Sequence, residues 1–124
     1  MIEQNAQKII NQIDKVIILT KEDIYDLKHG DFNNIMKRNS EKQILVDNIK
    51  NMKKILDSDI ITKAQNGANV EIYRSTINDV EKKLNNLNDV NGQLAQILLP
   101  LKDMYNSIIN DFFKENQSTI NVSI

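Results

Sequence analysis

The sequence predicts an all-α fold: three long antiparallel helices forming a bundle or coiled coil, the third bent near Pro100. Three observations carry this. Apolar residues recur at steps of three and four along most of the chain, the period of a helix seam. Three glycines and one proline leave few points of punctuation, so the elements must be few and long. The only strand-like alternation, Asn69 to Tyr73, is short and leads directly into a helical pattern. The expected layout is a single helical domain over 1–124: a helical hairpin over 2–56, a loop over 57–69, a long C-terminal helix over 70–116 and a flexible tail over 117–124.

In the first helix, Ile10, Ile13, Ile17, Thr20, Ile24 and Leu27 form a heptad seam, which Ile9 and Val16 widen. Lys28 and His29 fall in its last turn, where positive charge suits the helix dipole. Gly30 can adopt the left-handed conformation that ends a helix, and Asp31 is the expected N-cap of the next one. The second helix carries Ile35, Leu45, Ile49, Met52 and Leu56, with Arg38 and Lys42 at in-register positions. Their alkyl stems are expected along the seam with the charged heads in water. Asp57-Ser58-Asp59 and Asn66-Gly67-Ala68-Asn69 read as turns, with a short helix possible from Ile60 to Gln65.

The third segment has the clearest pattern. Tyr73, Ile77, Val80, Leu84, Leu87, Asn91, Leu94, Leu98, Leu101, Tyr105, Ile108 and Phe112 alternate steps of four and three. Asn91, the one fully polar member, reads as a register-fixing residue in an apolar seam. Gly92 and Pro100 both disfavour a helix interior. The seam keeps its phase across them, which argues for one bent helix instead of two.

Much chemistry is missing. There is no Cys, which excludes disulfides and thiolate metal sites, and a single His, which leaves no His-based one. No phosphate loop, nucleophile motif or Glu-x-x-His repeat is present. Asp57 and Asp59 are expected as caps. No enzyme activity, cofactor or metal is expected. With 16 basic and 17 acidic residues the chain has no electrostatic footprint for nucleic acid, and Lys53-Lys54 and Lys82-Lys83 lack interleaved aromatics. No apolar run approaches the roughly 18 residues of a membrane span. Met1-Ile2-Glu3-Gln4 does not open a secretory leader. The expected address is therefore cytoplasmic, without membrane insertion.

One face is wider than a seam requires. On a helical wheel Ile97, Leu98, Leu101, Met104, Tyr105, Ile108, Ile109, Phe112 and Phe113 cover about half the circumference, against the stripe of about 100° that an ordinary core-facing helix needs. Either the whole face is core, or part of it accepts an amphipathic helix from a partner. Self-association through the same face, giving a homodimer, is a third arrangement. Phe, Tyr and Met suit a binding surface because they are large or adaptable anchors.

Two stretches resemble a known family. Leu27-Lys28-His29-Gly30-Asp31-Phe32-Asn33-Asn34-Ile35, followed by Glu41-Lys42-Gln43-Ile44-Leu45, is similar to the first hairpin of the FlgN-type flagellar export chaperones. Leu87-Asn88-Asp89-Val90-Asn91-Gly92-Gln93-Leu94 is similar to the Asn-rich segment of their later helix. The loop over 57–69 has no counterpart in that family, and the tail is short. The resemblance implies a small helical cytosolic protein that binds C-terminal helical segments of hook-associated proteins, those of the hook–filament junction. It would prevent their premature assembly and deliver them to the export gate and its ATPase. Combined with the wide apolar face, it implies a client site formed by Leu98, Leu101, Met104, Tyr105, Ile108, Ile109, Phe112 and Phe113. A structural coiled-coil oligomer, or a small adaptor that sequesters a regulatory protein, fits the same pattern.

Overall fold

The computed structural model describes residues 1–116, with side chains placed over residues 1–99. It consists of three long helices, α1 (Ile2–Lys28), α2 (Ile35–Gln65) and α3 (Arg74–Asn116), with a 3-10 turn at Val70–Tyr73 leading into the last. No strand occurs among the described residues. The tail expected over 117–124 lies outside them. The chain divides into two compact units, Met1–Leu94 and Ala95–Ile124.

Both connections of the first unit are made by glycine. Gly30 has φ +71° and follows the C-cap His29. Asp31 N–H donates to the Asp26 carbonyl at 2.8 Å and Gly30 N–H to that of Leu27 at 3.3 Å, the paired bonds of a Schellman motif. Gly67, with φ +84°, repeats the arrangement: Ala68 N–H donates to Lys63 at 3.0 Å and Gly67 N–H to Ala64 at 3.1 Å. An L side chain at either position would be strained. Asp31 is not the expected N-cap. Its carboxylate accepts from Asn33 N–H at 3.2 Å within the turn, and α2 starts only at Ile35, after Asn34.

The second helix is longer than expected, and the loop over 57–69 shrinks to the turn after Gln65. Asp57 sits inside the helix, not at a cap, and accepts from Lys53 Nζ one turn earlier at 2.9 Å. Asp59 is also helical, and Ile60 packs half-buried against the core, so burial carries α2 through a polar stretch. In the following turn, Asn69 Oδ1 accepts from Glu71 N–H at 3.1 Å and starts the 3-10 segment.

The core of the first unit joins Ile2, Ala6, Ile9, Ile13 and Val16 of α1, Ile49 and Leu56 of α2, Tyr73, and Val80 and Leu87 of α3. Lys83 of α3 reaches Asp14 of α1 at 2.8 Å, and Leu56 of α2 lines a small cavity with Ile77 and Val80. The first two helices are antiparallel, with α3 completing the up-down-up order of a three-helix bundle.

Two seams differ in phase from the expectation. On α1 the fully buried positions are Ile2, Ala6, Ile9, Ile13, Val16, Thr20 and Asp23, whereas Ile10, Ile17, Ile24 and Leu27 are only half-buried. On α3 the stripe runs through Val80 and Leu87 to Val90, and Asn91 is exposed. Burying Val90 in place of Asn91 spares an amide from desolvation. Asn91 therefore does not fix register inside the core.

The third helix is continuous through Gly92 and Pro100. The bend expected near Pro100 concerns a segment whose side chains lie outside the described ones.

Candidate protein-interaction site

Of the eight residues expected to line a client site, the structure places one side chain. Leu98 lies on α3, in the second compact unit, and is 39% exposed. Its neighbour Leu99 is 57% exposed, and Ile97 is half-buried. Leu101, Met104, Tyr105, Ile108, Ile109, Phe112 and Phe113 belong to the same helix, but their side chains lie outside the described ones.

The first unit carries a charged cluster where an apolar layer would otherwise continue. Past Val16, the buried face of α1 changes from apolar to polar. Thr20 is fully buried and donates its hydroxyl to the Val16 carbonyl at 2.7 Å. One turn on, Asp23 is 1% exposed. Its Oδ1 accepts from Arg38 Nε at 2.5 Å and its Oδ2 from Lys42 Nζ at 3.0 Å. Arg38 also donates through a second guanidinium nitrogen to Asp26 and lies 3.8 Å from Glu22 at the rim.

This corrects the expectation that Arg38 and Lys42 keep their heads in water. Both heads turn inward, because a carboxylate waits at the facing α1 position, and each side chain is only 13% exposed. Two acids and two bases make the buried part of the cluster neutral, the condition under which buried charge is tolerated. Hydrogen bonds to Asp23, then to Asp26, raise the Arg38 pKa above its ordinary value.

Sequence reasoning missed Asp23, although a signal was present. A seam started at Ile2 and Ala6 reaches Thr20 and Asp23 in step, opposite the only basic pair on the facing seam of α2. Anchoring the phase on Ile24 and Leu27 hid it.

Two open grooves flank Ile18, which is 56% exposed. One, of about 530 Å³, runs between α1 and α3 past Ile17, Lys21, Asn86 and Val90. The other, of about 460 Å³, lies between Tyr25 and Arg38 at the hairpin end. Tyr25 stacks on His29 with ring centroids 4.0 Å apart. Among the described residues no group of three His, Cys, Asp or Glu side chains could hold a metal ion, and no helix is long and apolar enough to cross a membrane. The two grooves and the charged cluster offer apolar contact and buried ion pairing.

Comparison of the chain with protein-family models, curated proteins and solved structures finds no match.

Proposed function

We propose that the protein is a cytosolic export chaperone of flagellar type III secretion. It binds C-terminal helical segments of hook-associated proteins, keeps them from assembling early and hands them to the export gate and its ATPase. The observation that supports this reading is the continuation of the α3 apolar pattern past Leu94, the last residue of the first compact unit, into a second unit whose Leu98 and Leu99 are exposed. A helical client would cover such a stripe as helices cover one another in a bundle. The resemblance of Leu27–Ile35 and Leu87–Leu94 to the FlgN-type chaperones supplies the identity of the client.

Titration calorimetry with C-terminal helical segments of the hook–filament junction proteins of the same genome tests it. Saturable one-to-one binding at micromolar or better affinity, with a negative heat-capacity change, is expected from apolar burial. Absence of heat from a folded chain and soluble peptides would contradict it.

A second reading is a coiled-coil oligomer joined through the same stripe. It is favoured by the 43 uninterrupted helical residues of α3. Light scattering that gives a concentration-independent oligomer, without client affinity, would select it.

A further inference from the structure

We propose that the outer face of α2 is a self-recognition surface, on which a second copy of the chain docks antiparallel about a two-fold axis.

The apolar residues of α2 are not confined to its core side. Ile49 and Leu56 are buried, whereas Ile44 and Ile55 are each more than half exposed. With Asn48 and Asn51, also exposed, they recur at steps of four, three and four along one uninterrupted helix. At 100° per residue these positions fall within a sector of about 60°, a second seam apart from the one that meets α1. Asp47 and Lys54, both exposed, lie about two turns apart on one flank of it.

The seam is its own complement when reversed. Any two residues have a midpoint, but here unlike pairs share one. Ile44 and Ile55 are centred between residues 49 and 50, and so are Asn48 and Asn51. Asp47 and Lys54, of opposite charge, are centred one residue further on. An antiparallel two-fold pair sets residues with a common midpoint face to face, and sets each flank against the same flank of the other copy. Ile44 of one protomer then meets Ile55 of the second, Asn48 meets Asn51, and Asp47 faces Lys54, each contact being made twice. The apposed amides both donate and accept, and a polar layer inside an apolar seam sets the alignment at some cost in stability. A parallel pair would set Asp47 against Asp47 and Lys54 against Lys54, which like-charge repulsion disfavours. A foreign helix would need no such symmetry, so the pattern selects a second copy. Each copy supplies only two isoleucines, which makes the pairing weak and reversible. The surface lies in the first compact unit and does not use the α3 stripe past Leu94.

Sedimentation equilibrium at low ionic strength tests it, with far-UV circular dichroism to check that each variant keeps its helices. The parent is expected to dimerise with a dissociation constant on the order of 0.1 mM. Asp47→Lys and Lys54→Asp each put like charges across the interface and are expected to weaken the dimer by about tenfold or more. Mixing these two variants places Lys against Asp at both sites, and is expected to restore a dimer that contains one copy of each. Ile44→Ser with Ile55→Ser is expected to give a folded monomer, since both positions are exposed and act on association, not on the fold of the single chain. A parent that stays monomeric at about 1 mM would overturn the proposal. So would charge variants that dimerise like the parent, a mixture that associates no more tightly than its components, or an Ile44→Ser, Ile55→Ser chain that still dimerises.

Discussion

Asp23 and Arg38 meet across the α1–α2 hairpin, with the buried carboxylate of one accepting from Nε of the other at 2.5 Å. The pair sits on the seam and not on the surface, so its loss is felt as a buried group left without a partner. Asp23→Ala leaves Lys42 without its carboxylate and Arg38 with Asp26 alone, and Arg38→Ala leaves Asp26 without its cation and Asp23 with Lys42 alone. Each is expected to cost about 3–5 kcal/mol in denaturant unfolding. Arg38→Lys should recover only part of the loss, because an ammonium cannot span Asp23 and Asp26 as a guanidinium does.

The Arg38 contribution should not depend on pH in the ordinary range. Its pKa is raised in the folded state, so the stabilisation is complete below the ordinary arginine value and is lost only as pH climbs through the folded one. The stability gap between parent and Arg38→Met attributable to guanidinium titration should therefore be flat from about pH 6 to about pH 10. A gap that closes within that window would show that Arg38 is not held as the geometry indicates.

The glycines separate by conformation. Gly30 has φ +71°, and Gly30→Ala is expected to destabilise by about 1 kcal/mol because an L residue is strained there. Gly92 lies inside α3, with nothing within 4 Å of a Cβ built on it. Gly92→Ala should therefore stabilise by about 1 kcal/mol. Thermal melts of the two variants should move in opposite directions.

Core and surface isoleucines should respond differently to truncation. Ile13 is fully buried, so Ile13→Ala should cost about 2–5 kcal/mol through lost burial and a residual cavity. Ile44 is largely exposed, and Ile44→Ser should change stability by no more than about 0.5 kcal/mol.

The three-helix fold was legible because period and punctuation agree: Gly30 and Gly67 both fall where a chain with few glycines must reverse. The extent of α2 was not. Asp57-Ser58-Asp59 has the composition of a turn, and only the burial of Ile60 and the Lys53–Asp57 pair show why the helix continues. Seam phase was legible to within one position. Val90 replaced Asn91, and the seam through Ile2 and Ala6 replaced the one through Ile24, because neighbouring apolar residues leave two phases nearly equal until the packed neighbours choose between them. The inward turn of Arg38 and Lys42 depended on Asp23, and so on that same choice. Of the apolar stripe expected to bind a client, Leu98 alone has a described side chain, and it is exposed.

On the proposed function, the α3 stripe past Leu94 binds a helical client. The most direct measurement takes Ile108→Ser with Phe112→Ser and follows its helicity and thermal melt beside its calorimetric titration with hook–filament junction peptides. A chain that melts like the parent and no longer binds is the predicted result. A chain that stays folded and binds as the parent does, or one that unfolds because the stripe is core, would contradict it.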